Sequence, residues 1–332
     1  MITGITIAGL VRFFTQASFA VSAAASLWVF VFLLKSRRTG GASFEKFAEL
    51  LTKLFIGTFL LFLAGWITGA FYLYPPDAFA HEGIRIIPLA SYIQNGFQAN
   101  LPLVMLLLVA AILNLGLFCN NKSSWKRLSP VLWLLQFLLL TAISFFTIFN
   151  GTFGREQLFF FLHNWHSILT FGGVVIVDFL FLATAAARDH RKALYDFFFV
   201  ISAFIWLGLG LDFLSNLPIF EEGLKISSQF FFVQTVVAIL IINGTLLSGR
   251  ITEVLKFLAS AEKSRRESGL AKLISISGAV SIVSWTTITF VDFFTFDWDY
   301  WQFLAIYLVA IFFAYSLYHC FHRGIEQELA AT

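Results

Sequence analysis

Two histidines three residues apart, His163 and His166, open an apolar run that also carries an acid, Asp178. Imidazole ligates metals and haem and exchanges protons near neutral pH. Ionisable groups deep in an apolar helix are costly enough to point to function. At about 100° per residue the two imidazoles share one helix face, about 60° apart. Asp178, fifteen residues after His163, returns to within about 60° of that face on a uniform helix and lies about 22 Å further along the axis. Gly172-Gly173 between them allow a second helix to approach closely, and Asn164 and Ser167 add polar groups at the level of the histidines.

A His-x-x-His pair does not complete a metal site, which needs a third and fourth ligand. Outer segments offer His81, Glu82, Glu156, Asp212, Glu221, Glu222, Asp292, Asp297 and Asp299. The expected metal set is His163, His166, His81, Asp212 and Asp292, with copper the expected ion; the bland reading is that these groups meet only water and headgroups. Haem b is the other expected cofactor, five-coordinate on His163 or His166, or with His81 as second ligand. His319 and His322 form another three-apart pair, but two histidines on adjacent turns of one helix cannot ligate opposite sides of one haem, which argues against a bis-His cytochrome. With only Met1 and Met105 in the chain, a methionine-lined Cu(I) path is excluded.

Asp178 sits among Val174, Val175, Ile176, Val177, Phe179, Leu180, Phe181 and Leu182. It must find a donor on another helix or carry a proton. Ser22, Ser26, Asn243, Thr245, Ser277 and Ser281 are the candidate donors, with no Lys or Arg at that depth. Two roles follow: a tie between helices, or a relay for protons or cations.

The elements that must position these groups are membrane helices. Of 332 residues, 59% are hydrophobic and 12% charged, with mean hydropathy +0.83, whereas soluble domains carry about 25% charged residues. The expected fold is an all-α, polytopic transmembrane bundle. Apolar runs of spanning length occur at about nine places, 8–34, 47–74, 101–118, 128–149, 157–187, 193–214, 227–248, 270–294 and 300–321. The chain has 43 Phe residues, most of them within these runs, where they read as lipid-facing bulk. The first run has its positive cluster, Lys35-Ser36-Arg37-Arg38, after the apolar stretch, so it is expected to stay as a span and not to be cleaved as a signal peptide.

Loops after the odd-numbered runs, with Arg323 in the tail, hold seventeen basic residues, among them Arg37, Lys126, Arg191 and Arg265; the other face holds only Arg12, Arg85, Arg155 and Lys225. The Lys/Arg bias places the N-terminus outside, the C-terminus inside, and the histidines at the outer level. Cys119 and Cys320 then lie near cytoplasmic helix ends, where thiols stay reduced. The net charge of +3 is dispersed over short loops, which argues against a nucleic-acid partner. Beyond the lipid bilayer, the expected partners are a cytoplasmic protein or further copies of the chain. Residues 250–272 space Val254, Leu255, Leu258 and Ala261 helically among charges, as a cytoplasmic extension that is a solvated connector or a docking surface. Residues 75–100 form an outer loop able to cap a cavity.

Three hairpins end alike: Trp66-Ile67-Thr68-Gly69 before Asp77, Trp206-Leu207-Gly208-Leu209-Gly210 before Asp212, and Trp285-Thr286-Thr287 before Asp292. Duplication of a hairpin would produce this pattern, as would the preference of Trp for membrane interfaces. No phosphate loop, nucleophile motif or dinucleotide fingerprint occurs, so an enzyme of soluble type is not expected.

The run His163-Asn164-Trp165-His166-Ser167-Ile168-Leu169-Thr170-Phe171-Gly172-Gly173 resembles a pattern of the copper-resistance D-type membrane proteins, in which an outer-leaflet His opens a helix and a small-residue pair follows about two turns later. The hairpin layout is similar to theirs. The resemblance implies periplasm-facing copper import or haem-linked handling with His163 or His166 as ligand; the ninth run and the scarcity of Met depart from the family pattern. The expected function is transition-metal or haem handling at a His-based outer site in a bacterial plasma (inner) membrane, coupled to protons through Asp178. Its rivals are a proton-coupled small-solute transporter and a non-catalytic membrane subunit that docks a cytoplasmic partner.

Overall fold

The computed structural model describes residues 7–68, 105–106, 108–109, 111–113, 115–116, 128–149, 154–184, 191–215, 227–259, 266–291, 294 and 296–331. Every regular element among them is helical: α1 (Ile7–Thr39), α2 (Ala42–Thr68), α3 (Ser129–Phe149), α4 (Arg155–Ser167), a π turn (Ile168–Gly172), α5 (Gly173–Thr184), α6 (Arg191–Ser215), α7 (Ser228–Ala259), α8 (Arg266–Val291) and α9 (Tyr300–Ala331). Six described stretches are long and apolar enough to cross a bilayer: Gly9–Thr39, Ala42–Thr68, Ser129–Phe146, Gln157–Leu180, Ser228–Leu246 and Tyr300–Leu317. The chain thus has the make-up of a multi-pass membrane protein. The expected runs at 193–214 and 270–294 are helical, but their described apolar parts, Val200–Ser215 and Ile276–Val291, are shorter. Most of the run at 101–118, the outer loop at 75–100 and the side chains of residues 250–272 lie outside the described residues.

The described residues fall into two compact units, one made of those within 7–176 and 204–215, the other of those within 177–203 and 227–331. In the first, α1 packs along α2 and also touches α3 and the π turn. Its buried face is built of small side chains, Ala20, Ala23, Ala24, Ala25, Ser22 and Ser26, and the π turn exploits them. A Cβ on Gly172 would stand 2.6 Å from the Ala20 carbonyl oxygen and 2.8 Å from the Ala24 Cβ. Only glycine permits that approach, as small residues do between membrane helices generally.

α1 ends at Gly40, whose φ of +64° suits glycine; its N–H donates to the Ser36 carbonyl at 2.8 Å. Arg37 and Arg38 in the last turn of α1 complement the helix dipole. Lys46 and Lys53 pair with Glu49 at 3.1 and 2.9 Å on the exposed start of α2. Aromatic contacts then link α2 to the site helix: Phe55 on Trp133, Phe137 on Trp165 and Phe145 on Phe161, all edge-on. Phe13, Phe19, Phe32, Phe44, Phe47, Phe55, Phe59 and Phe62 are buried. The phenylalanine expected as lipid-facing bulk is therefore partly core, where edge-on ring pairs are favoured.

In the second unit α7, α8 and α9 pack mutually through hydrogen bonds between helices. The Gln229 amide donates to the carbonyls of Val291 and Phe294 at 3.0 and 2.9 Å, satisfying groups left over at the end of α8. Lower contacts are Ser284 with Tyr307 at 2.7 Å, Thr235 with Tyr300 at 3.2 Å, and the Asn243 amide donating to the Ser277 carbonyl at 3.0 Å. α9 starts with a reciprocal cap: Gln302 N–H donates to Asp299 Oδ1 at 2.9 Å and Asp299 N–H to Gln302 Oε1 at 3.0 Å. This is the capping-box arrangement, and it gives Asp299 a structural employment.

Candidate functional site

α4 and the end of α6 build the site within the first unit. α4 carries Trp165 into the aromatic contacts of α3, which fixes the helix rotation and sends the neighbouring positions 163 and 166 toward α6. The two imidazole rings stand 5.7 Å apart, centroid to centroid. His163 Nδ1 is 3.9 Å from Asp212 Oδ1, and His166 Nε2 is 3.6 Å from the same oxygen. Two imidazoles from adjacent turns of one helix thus converge on one carboxylate oxygen of another.

His166 and Asp212 are buried, 4% and 8% exposed, whereas the His163 side chain keeps 38% of its surface. His163 is therefore the accessible edge of the cluster and His166 its floor. The remaining ring nitrogen of His166, Nδ1, meets the Gly208 carbonyl at 2.9 Å. Thr170 Oγ1 donates to the His166 carbonyl at 2.7 Å, occupying a main-chain acceptor where α4 passes into the π turn. Single π turns inside α-helices are uncommon and recur at functional sites.

A polar chain runs beside the histidines. Asn164 accepts from Gln16 of α1 through Oδ1 and donates through Nδ2 to Ser144 Oγ of α3 at 3.1 Å. It ties three helices at the level of His163, and a buried polar network of this kind specifies one arrangement when its members are satisfied.

Of the expected ligands, His163, His166 and Asp212 come together. His81 and Asp292 lie outside the described residues, as do Glu82, Glu221 and Glu222; Asp297 is exposed and Asp299 caps α9. Asp178 belongs to the other compact unit. Its Oδ2 is buried and has no hydrogen-bond partner among the described residues. Several donors expected for it are engaged elsewhere: Ser22 donates to Thr58, Ser26 to the Ala23 carbonyl, Thr245 to the Ile241 carbonyl, and Asn243 pairs with Ser277.

Three donors, two nitrogens and one oxygen, are a chemically apt start for a borderline divalent ion. Two ligands about 2.1 Å from one tetrahedral ion stand about 3.4 Å apart; the observed 3.6 and 3.9 Å are slightly wider. Among the described residues no group of three or more His, Cys, Asp or Glu forms a ready-made metal cage. The cluster is open and would contract around an ion, with water or an exchanging ligand in the fourth position. The roles of Gln16, Ser144, Thr170 and Gly208 have no signature in the sequence beyond residue type. Comparison with family models, with curated proteins and with solved structures finds no match to this chain.

Proposed function

We propose that this multi-pass protein binds a divalent transition-metal ion as cargo at His163, His166 and Asp212 and handles it at the outer level of a bacterial plasma membrane. The carrying observation is the convergence of both imidazoles on Asp212 Oδ1. Neutral imidazoles with one carboxylate suit Zn²⁺, Cu²⁺ or Ni²⁺. The half-exposed His163 is the receiving group and the buried His166 the retaining one. The resemblance of residues 163–173 to the copper-resistance D-type proteins supports the same ligands. A haem on His166 fits less well, because its iron would have to take the face of the ring that Asp212 occupies.

The test is metal analysis and an absorption spectrum on purified protein loaded with Zn²⁺ or Cu²⁺. His163→Ala and His166→Ala are each expected to weaken binding by more than about 100-fold, since even outer-shell partners of a ligand are worth about 10–100-fold. His190→Ala serves as control and is expected to bind as wild type. Equal occupancy in all three variants removes the site from this helix, and a Soret band in the protein as isolated shifts the reading to haem.

A second reading, a proton-coupled transporter of a small solute, is favoured by Asp178, whose buried Oδ2 lacks a partner among the described residues. Intramembrane acids in such settings mark proton pathways.

Both readings use nine spans with the N-terminus outside, as the excess of Lys and Arg on one face supports. Single cysteines at Ser36, Ser123 and Ser264, in a variant lacking Cys119 and Cys320, are expected to resist an impermeant thiol reagent in intact cells, while one at Ala80 reacts. Labelling at position 264 and not at 80 inverts the topology and moves the histidines to the cytoplasmic face.

A further inference from the structure

The His166 ring is held between the main chain and a side chain of one turn of α6. Nδ1 is 2.9 Å from the Gly208 carbonyl oxygen, and Nε2 is 3.6 Å from Asp212 Oδ1. Positions 208 and 212 are one helical turn apart and share a face. A carbonyl oxygen has two lone pairs and no hydrogen. It can accept from its own helix and from an imidazole at once, but it can only accept. The hydrogen of this contact therefore sits on Nδ1 of His166. In the neutral ring the lone pair is then on Nε2, on the edge turned toward Asp212; since a lone pair and a carboxylate repel, a proton or a cation must lie between them. The carbonyl–imidazole–ion order is the usual outer-shell arrangement for a metal-binding histidine.

Glycine is a poor helix residue, so its use at 208 calls for a physical reason. A Cβ there would stand 2.5 Å from Thr170 Cγ2, 3.1 Å from Leu169 Cβ and 3.3 Å from the Thr170 nitrogen. A Cβ on Gly210, two residues on, meets nothing within 4 Å. The close approach of α6 to the histidine helix is thus specific to position 208. Thr170 presents its methyl to that glycine, while its hydroxyl donates to the His166 carbonyl.

We infer that Gly208 is a positioning residue of the cation site: its carbonyl holds a hydrogen on Nδ1 of His166, so that Nε2 is the nitrogen turned toward Asp212, and its missing side chain lets the two helices come close enough for that contact. The inference rests on the metal-site reading for the identity of the ion, but the Nδ1 hydrogen is set without one. The two histidines then serve the cluster through different nitrogens, Nε2 of His166 and Nδ1 of His163.

The experiment uses the full chain, labelled with ¹⁵N-histidine in lipid nanodiscs, with imidazole nitrogen shifts recorded without metal and Zn²⁺ affinity measured separately. His166, assigned by the signal lost in His166→Ala, is expected to show a protonated Nδ1. Gly208→Ala is expected to lose that signature and to bind Zn²⁺ about 10–100-fold more weakly, the range for loss of an outer-shell partner. Gly210→Ala is expected to keep both. Removing the opposing methyl as well, in Gly208→Ala with Thr170→Ser, relieves the shortest contact and leaves those to Leu169 Cβ and the residue-170 nitrogen, so it is expected to restore the signature and the affinity in part; this pair also decides the matter should Gly208→Ala alone not fold. A wild-type His166 with a bare Nδ1, or Gly208→Ala with unchanged Nδ1 signature and affinity, overturns the inference. The Nδ1–H signature in a wild-type protein that does not bind Zn²⁺ leaves Gly208 in its role and overturns the metal reading instead.

Discussion

Asp212→Asn is expected to cut divalent-ion affinity by about three orders of magnitude. The carboxylate is the point on which His163 and His166 converge, and it supplies the negative charge of the three-donor cluster. A unit charge pair at about 4 Å is worth about 4 kcal/mol at an effective dielectric of about 20, and each 1.4 kcal/mol is about tenfold. The amide keeps the shape of the acid, so packing around the buried side chain is largely preserved and the loss reports charge. Competitive Zn²⁺ titration of wild type and variant measures it. An Asp212→Asn variant that binds as tightly as wild type would mean that the two imidazoles do not work through this carboxylate, and the site as drawn would fall.

The second large effect is one of sign. Asp178→Leu is expected to stabilise the protein by up to about 3–4 kcal/mol, because an acid at mid-helix costs about 2.5–3.5 kcal/mol to insert while leucine is favourable by about 0.5, and Oδ2 has no hydrogen-bond partner among the described residues to offset that cost. An acid that ties helices together behaves oppositely: its removal destabilises. Denaturant unfolding in detergent decides between the two. Asp178→Asn, which cannot exchange a proton, is expected to abolish any pH-dependent transport while the fold persists. A less stable Asp178→Leu variant, together with undiminished pH-dependent transport in Asp178→Asn, would make Asp178 a structural tie.

How far the site is legible in the sequence depends on what periodicity can report. It places residues on a face of their own helix, which is why His163 and His166 stand out as a pair. It does not choose the partner on another helix. Asp212 is, in the sequence, one of nine outer candidates and, with His81 and Asp292, one of three in the expected metal set; what brings it to the histidines is the close approach that Gly208 grants against Thr170. The Asp-x-x-Gln spacing of Asp299 and Gln302 is readable as a helix cap, but in a crowd of carboxylates it reads equally as part of a cation-recruiting surface. Donors assigned to Asp178 by depth are claimed by nearer groups, Asn243 by Ser277 and Ser22 by Thr58, because depth says nothing about rotation. Apolar length marks the helices well and their spanning parts less well: the described apolar parts of α6 and α8 begin only at Val200 and Ile276.

The π turn at Ile168–Gly172 makes a uniform count of 100° per residue invalid beyond Ser167, so the angular position of anything downstream cannot be reckoned from the histidines by spacing alone. A π turn is in effect one surplus residue lodged in an α-helix. The helix therefore holds a built-in place where its length can change by one. Winding that surplus residue into regular α hydrogen bonding, without deleting it, would turn the segment before it by about 100° relative to the segment after it. The histidine face would then leave Asp212, or the Gly172 face would leave Ala20 and Ala24. The wide turn is what lets this sequence, surplus residue included, present the histidine face to Asp212 and the Gly172 face to Ala20 and Ala24 at once.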